Sequence, residues 1–201
     1  MASWVLPLKF KPTEGWLYGT NIDWAGQIVE RLSGLSLEEY FQKNFFKVLG
    51  IESSTFEIGA HKELHARRAA IGNRADPQSP LTPGQGLYPD FLPVASGGGG
   101  LYSTASDYSK FLSALLDKHN GIFQKEATYE LLTKPQLPDP KYLEEHIFGP
   151  FGPAFAPEFQ EPRPSVNHSL VGLLNLTDIP DKRRAGSVTW SGMSNPRWVS
   201  H

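Results

Sequence analysis

The chain contains no cysteine among its 201 residues, which excludes disulfides, a thiol nucleophile and zinc–thiolate sites. It also lacks a concentrated basic face. The basic residues are scattered, apart from the short clusters Arg67-Arg68 and Lys182-Arg183-Arg184, and the formal net charge is −2. Because nucleic-acid phosphates require clustered positive charge, we expect no nucleic-acid partner.

Long apolar runs are also lacking. No run approaches the roughly 20 residues that a membrane span needs, and the short apolar N-terminus lacks a basic region and is broken by Pro7, unlike a secretory signal. We therefore expect no membrane partner and a cytoplasmic location. The composition, 39% hydrophobic and 20% charged, is typical of a globular protein, and the length favours one domain spanning 1–201.

Helical periodicity is clear near the N-terminus. Thr20 and Asp23 form a capping-box pattern, and apolar residues then recur at helical spacing until Gly34, which predicts a helix from Asn21 to Ser33. Ser36 and Glu39 repeat the pattern, and a second apolar stripe ends at Gly50.

A third capping-box pattern, Thr104 with Asp107, begins a helix with a regular apolar stripe. The stripe consists of Tyr108, Phe111, Leu112, Leu115 and Leu116. A further helix is predicted from about Lys125 to Lys134, before Pro135. The part from 16 to 135 is thus mainly helical.

The last third of the chain changes character. The proline-rich segment 135–164 is predicted to be an irregular surface segment. Antiparallel strands are predicted in 165–201, where Leu170–Leu176 and Ser187–Trp190 form a hairpin and a further strand begins at Arg197.

Two motifs that suggest ligands have simpler interpretations. The four glycines from Gly97 to Gly100 are not followed by the lysine of a phosphate-binding loop, so we interpret them as residues that let the backbone approach another element closely. His61 and His65 have the spacing of a zinc helix, but no third ligand is evident, and we interpret them as part of a solvated segment. We expect no metal and no cofactor.

Tyr18 is the best candidate for chemistry, because it lies in a turn just ahead of an amphipathic helix. A tyrosine there could be the general base for an acyl-transfer serine, but a phenol has a reference pKa of about 10 and needs a neighbouring cation to lose its proton near neutrality. The serine elbow Gly-x-Ser-x-Gly is absent, and no lysine has a serine three residues before it.

The tail offers a second candidate. A strand that ends in Trp190, Ser191 and Gly192 could present backbone N–H groups to a developing oxyanion, with Trp190 as a wall of the site. The alternative is an ordinary hairpin flanked by aromatic residues.

Four stretches together carry a family resemblance. They are Trp16-Leu-Tyr-Gly-Thr-Asn-Ile-Asp-Trp-Ala-Gly26, Val29–Gly34, Gly98–Tyr108 and Gly186-Ser-Val-Thr-Trp-Ser-Gly192. In this order they resemble the β-lactamase-related serine esterases and transesterases, which are similar to class C β-lactamases and include acyltransferases of fungal polyketide pathways.

The resemblance implies a fold and roles for residues. The fold would be part of an α+β (α/β sandwich) structure of the β-lactamase or penicillin-binding-protein type, an antiparallel sheet flanked by helices with a mostly helical lobe. Tyr18 would relay a proton with the nucleophile's lysine, Trp190-Ser191-Gly192 would replace the family's Lys-Thr-Gly, and the Met193 N–H would be an oxyanion donor.

The family's Ser-x-x-Lys nucleophile is absent from these residues. The resemblance therefore implies a serine acyltransferase or esterase, with a small-molecule acyl donor and acceptor in secondary metabolism, that is truncated at both ends and inactive alone. We expect poor solubility and self-association through an exposed sheet edge. Two alternatives stay open: a non-catalytic homologue that assembles with a full-length partner, and a residual hydrolase with another nucleophile.

Overall fold

The computed structural model describes residues 7–86, 88–117, 122, 125–150, 152–192 and 196–200. Its α-helices are α1 (Asn21–Ser33), α2 (Leu37–Phe41), α3 (Lys47–Leu49), α4 (Lys62–Ala66), α5 (Ala105–Leu116), α6 (Glu126–Leu132), α7 (Lys141–Ile147) and α8 (Gly152–Phe155). Its strands are β1 (Gly72–Asn73), β2 (Thr82–Pro83), β3 (Val166–His168), β4 (Leu173–Asn175), β5 (Val188–Ser191) and β6 (Arg197–Ser200).

Helix α1 has the predicted bounds and ends at Gly34, whose left-handed φ of 71° suits glycine. Its contacts differ from the prediction. Thr20 makes no side-chain cap, so the first capping box is wrong. The helix buries Asp23 and Gly26, whereas its apolar side chains at Ile22 and Leu32 are exposed.

The second predicted helix has three parts. The capping box of Ser36 and Glu39 is confirmed, with both reciprocal hydrogen bonds present. Helix α2 then continues through a π-helical turn, Gln42–Phe46, into α3, and it ends at Gly50 as predicted. The wide turn was not apparent from the apolar stripe, because π and α turns differ by one residue in spacing.

The glycine segment approaches α1 closely, as predicted. A Cβ atom added at Gly97 would lie 2.5 Å from the carbonyl oxygen of Ile22, and one added at Gly98 would lie 2.9 Å from the Asp23 carboxylate. Only residues without a side chain fit this approach.

The interpretation of 135–164 as irregular surface is wrong. Helix α7 lies in this segment, and Leu143 and Ile147, one turn apart, are fully buried. The prolines do not prevent this helix, since Pro140 occupies its N-cap, where no intrahelical N–H is needed. Pro140 therefore marks the start of a helix that buries two side chains.

Strands β3, β4, β5 and β6 form an antiparallel sheet in that order. The predicted hairpin is confirmed as β4 and β5, which pair Leu173 with Thr189 and Leu174 with Val188. Strands β1 and β2 form a separate two-stranded ribbon.

The chain divides into two compact units, Gly19–Phe111 and a second unit of Ala2–Tyr18 with Leu112–His201. The second unit contains an apolar core of Leu143, Ile147, Ala156, Phe159, Val166, Leu173 and Ile179. That 1–201 folds as one domain stays a prediction. Across the described ranges, none of the helices combines the length and apolar character needed to cross a bilayer.

Candidate functional site

Tyr18 and Trp190, predicted separately from the sequence, lie in contact within the second unit. Their rings are stacked, with centroids 5.9 Å apart and an interplanar angle of 22°. Tyr18 is half exposed. The structure thus brings together the candidate tyrosine and the candidate wall residue.

Strand β5 holds Trp190 in place. The residue pairs with Trp198 on β6 and packs against the apolar core of the second unit. Because interiors are close-packed, a ring held on one side by a core has little freedom. Trp190 therefore offers Tyr18 a fixed apolar surface.

The end of β5 is the predicted oxyanion segment. Ser191 is its last residue and lies opposite Arg197. The N–H of Gly192 donates a hydrogen bond to the Pro196 carbonyl, at 2.9 Å, so it is already engaged in this structure. The other predicted donor, Met193, lies outside the described residues.

Three residues that the sequence analysis did not select complete an aromatic surface around Tyr18 and Trp190. Trp16 lies 5.3 Å from His146 and 6.0 Å from His168, and His168 lies 5.6 Å from Trp190, all between ring centroids. We call these five residues the aromatic wall. Its members come from the segment before α1, from α7 and from the sheet.

His168 has a defined tautomer. Its Nδ1 lies 2.6 Å from the Ser169 carbonyl oxygen. A carbonyl only accepts, so Nδ1 carries the hydrogen and Nε2 carries the lone pair of the neutral ring. Burial lowers the pKa of His168 below its ordinary value, although the hydrogen bond to Ser169 acts in the opposite direction. The ring is therefore neutral near pH 7.

Local sequence signals could not have identified this wall. Trp16 stood in the stretch that contains Tyr18, but nothing in its neighbours distinguished it from a core tryptophan. His168 belongs to a three-residue strand that gives almost no periodic signal. The contacts depend on sheet pairing and on α7.

The first unit contains a cavity of about 140 Å³ lined mainly by apolar and aromatic residues, with Ser54, Ser103 and Asp107 as its polar lining. Ser54 Oγ lies 2.7 Å from Ser103 Oγ and 3.2 Å from the Asp107 carboxylate. Burial alone would raise the pKa of Asp107, but hydrogen bonds from the Ser53 N–H, Lys110 and Ser54 outweigh it, and the pKa lies below its ordinary value. Because its pKa is lowered, the Asp107 carboxylate is a poor base for activating Ser54.

His65 and Asp90 form a pair in the first unit. His65 Nε2 lies 2.9 Å from the carboxylate, which also binds Arg68. No group of three histidine or acidic residues with metal-binding geometry occurs in the part of the chain that the structure describes. The aromatic wall is therefore the better candidate for a functional site.

A family model described as Beta-lactamase matches residues 5–161. The chain belongs to the beta-lactamase family. The match includes Tyr18 and α1 to α8, and the resemblance noted from the sequence is confirmed.

Several relatives are fungal enzymes. The chain is 34% identical over 198 residues to lovastatin esterase of Penicillium rubens, covering 96% of this chain and 49% of that protein. It is also 34% identical over 200 residues to monacolin J acid methylbutanoyltransferase of Aspergillus terreus, covering 96% of this chain and 47% of that protein. The chain thus spans about half the length of these relatives.

Solved structures agree with the family assignment. A mutant of the simvastatin synthase LovD from Aspergillus terreus matches with a TM-score of 0.87 and 31% identity, covering 97% of this chain and 50% of that one. EstCE1, a hydrolase with promiscuous acyltransferase activity, has a TM-score of 0.68 at 18% identity and shows the fold alone. The predicted α+β fold, a partial fold of the β-lactamase type, is confirmed.

Proposed function

We propose that this beta-lactamase family chain supplies one side of an acyl-transfer site, at which an acyl group passes between a small-molecule donor and acceptor or to water. Tyr18 takes part in proton transfer, and Trp190 with Ser191, Gly192 and Met193 borders the acyl group. The stack of Tyr18 on Trp190, with centroids 5.9 Å apart, carries this proposal. The names of the relatives, an esterase and a methylbutanoyltransferase, support the reaction class.

The chemistry proceeds through an acyl-serine. A serine hydroxyl attacks the donor's carbonyl carbon, the leaving group departs with a proton, and an acceptor alcohol or water then releases the acyl group. The 201 residues contain no serine three residues before a lysine. The nucleophilic serine and its lysine are therefore supplied by residues other than these 201, and the chain alone is catalytically inactive.

Substrates and location belong to the same proposal. The relatives' names refer to lovastatin and monacolin J acid, and we place the acceptor of this chain among secondary metabolites. We also retain the cytoplasmic location expected from the sequence.

The experiment is a complementation assay with a p-nitrophenyl ester. The chain is mixed with the part of the Aspergillus terreus relative that it does not match. We expect no turnover by the chain alone, turnover by the mixture, and a loss of about 100-fold in kcat with Tyr18→Phe, the lower range for a general acid or base.

The control is Tyr142→Phe, which changes an exposed tyrosine that lies beside Lys141 and should keep the full rate. Turnover by the chain alone would contradict the proposal. So would full activity of the Tyr18→Phe mixture, or an inactive mixture whose two parts co-purify.

A second candidate function is a non-catalytic subunit that associates with a full-length enzyme of the family. The observation that favours it is the exposed apolar side of α1, where Ile22 and Ile28 are each 57% exposed and Leu32 is 83% exposed. Sedimentation of the chain with the full-length relative separates the two candidates, since a stable complex that leaves the rate of the relative unchanged supports only the second.

A further inference from the structure

We propose that the cavity of the first unit is a second binding site, which takes a small aromatic molecule with one hydrogen-bond donor, such as a single-ring phenol. The residues that line it all belong to the first unit, and none is part of the aromatic wall. The site is therefore independent of the proposed acyl transfer. Its size, the π-helical turn in its lining and a hydroxyl oxygen that can accept support the proposal.

The cavity is large enough for one benzene ring. Its volume is about 140 Å³, and an apolar cavity of about 150 Å³ binds benzene. Phe46 and Ile51 in the lining are buried, whereas Ser103 is exposed. The cavity is thus closed at its apolar end and reaches solvent beside Ser103, where a small molecule can enter.

The π-helical turn Gln42–Phe46 forms the aromatic side of the cavity. In an α-helix, which has about 3.6 residues per turn, Phe46 would point about 140 degrees away from Phe41. The wider turn instead brings both Phe45 and Phe46 to Phe41, with ring centroids 5.1 and 5.7 Å from it. Single π turns within helices are frequent at functional sites, and rings that meet at an angle suit contact with a further aromatic ring.

The polar end of the cavity is a chain of hydrogen bonds that ends on a charge. An ionised carboxylate only accepts, so the Ser54 hydroxyl, at 3.2 Å, donates to Asp107. The Ser54 oxygen in turn accepts the hydrogen of the Ser103 hydroxyl, 2.7 Å away, which is closer than the Thr104 carbonyl at 3.3 Å. Within the described part of the chain, no group donates to the Ser103 oxygen. A ligand at this end must therefore donate.

The charge at the end of this chain strengthens the acceptor. Hydrogen bonds in series polarise one another, so donation towards Asp107 makes the Ser103 oxygen a better acceptor. A hydroxyl group buried without a partner is costly, whereas one that donates to Ser103 is satisfied. The ligand thus combines one aromatic ring with one O–H or N–H group.

The test compares phenol with toluene, which has the same number of heavy atoms but cannot donate. Binding to the 201-residue chain is followed by the methyl NMR signals of Ile51, which lines the cavity. The signals of Ile179, in the core of the second unit, are the internal control. We expect each probe to shift the Ile51 signals in a saturable manner and to leave those of Ile179 unchanged.

The variant Ser103→Ala removes the acceptor. It should raise the Kd of phenol about two- to tenfold, the range for one neutral hydrogen bond, and leave the Kd of toluene unchanged. The matched control is Ser109→Ala, which removes another exposed hydroxyl, bonded only to the Ser106 carbonyl, and should keep both affinities. If Ser103→Ala does not fold, Ser103→Cys takes its place, because a thiol of similar shape is a weaker acceptor.

The proposal is overturned if neither probe shifts the Ile51 signals, if toluene binds and phenol does not, or if the folded Ser103 variant binds phenol as tightly as the unaltered chain. None of these measurements depends on ester turnover. A failure of this site and a failure of the acyl-transfer proposal are therefore distinguishable.

Discussion

The two units of the chain both bury apolar side chains, but they differ in the polar groups that they bury. The second unit has an apolar core in which Leu143, Ile147 and Phe159 are fully buried. The first unit also buries apolar side chains, among them Leu37 and Phe56, but in addition it buries three carboxylates, Asp23, Glu38 and Asp107, each at most 8% exposed. All three lie in the first turn of a helix, in α1, α2 and α5.

Each of these carboxylates accepts a backbone N–H from a distant loop. Asp23 accepts from Gly98 at 3.1 Å, Glu38 from Phe56 at 2.7 Å, and Asp107 from Ser53 at 2.6 Å. The loops are irregular, so their backbone groups need partners outside the ladders of regular structure. The first unit thus orders its loops through charge-assisted hydrogen bonds, whereas the buried polar side chains of the second unit, among the described residues, are neutral ones such as Asn167 and Asn175.

The largest effect is expected in the apolar core. Leu143→Ala should lower the free energy of unfolding by about 3 kcal/mol, since it removes a fully buried side chain and leaves a cavity. The matched control is Leu32→Ala on α1, where the side chain is 83% exposed and the loss should be below about 0.5 kcal/mol. Equal losses in urea denaturation would contradict the assignment of Leu143 to a close-packed core.

A loss of about 2 kcal/mol is expected from Asp107→Ala, because the Ser53 N–H and the Ser54 hydroxyl then lose a charged acceptor. Urea denaturation measures this loss. The control Asp76→Ala removes an exposed carboxylate that bonds only within its own turn, and it should cost clearly less. A cost no greater than that of the control would show that the buried carboxylate does not order the loop.

The same contact should make stability depend on pH. The pKa of Asp107 is lowered in the folded chain, so between the folded pKa and the ordinary value near about 3.9 the unfolded chain binds more protons. The stabilisation is complete above the unfolded pKa and is lost as the pH falls through the folded pKa. The free energies of unfolding of the unaltered chain and of Asp107→Ala, measured by urea denaturation, should thus differ by a constant amount from pH 7 to about 5 and converge in stronger acid. A difference in free energy that grows in acid would contradict this.

A smaller effect is expected at the exposed capping box of α2. Ser36→Ala removes the hydroxyl that accepts the Glu39 N–H at 3.2 Å, and it should cost about 1 kcal/mol. Ser109→Ala on α5, where the exposed hydroxyl bonds only the Ser106 carbonyl, is the control. Thermal or urea unfolding compares the two, and similar losses would mean that the cap contributes little.

The features that were predictable from sequence are those determined by neighbouring residues. The bounds of α1, its end at Gly34 and the cap at Ser36 depend on residues within a few positions, and they are correct. The partners of the first-turn acids were missed because they lie far along the chain. The sequence pattern predicts that Asp23 is half of a capping box, whereas in the structure it accepts hydrogen bonds from Ser96 and Gly98.

The candidate site shows the same limit. Tyr18 and Trp190 were selected by local pattern and by family resemblance, and the structure places them in contact. Trp16 and His168 lie near them because of the packing of α7 and the sheet. Helix α7 was not predicted, because it lies in a proline-rich segment. Its two buried residues, Leu143 and Ile147, are too few to give a periodic signal.

The smallest effect on unfolding is expected from Leu32→Lys. This variant also tests whether the exposed apolar side of α1 causes self-association. Because Leu32 is 83% exposed, this substitution should change the free energy of unfolding of the chain by less than about 0.5 kcal/mol. Self-association, measured by sedimentation, should nevertheless decrease if the exposed apolar side of α1 is the surface through which the first unit associates. Val199→Lys on β6, where the side chain is 41% exposed, tests the sheet edge of the second unit in the same assay. We expect Val199→Lys to reduce self-association more than Leu32→Lys does. Unpaired backbone groups at a sheet edge direct pairing with another copy, whereas exposed side chains on a helix associate without a fixed register. A larger decrease with Leu32→Lys would contradict this expectation.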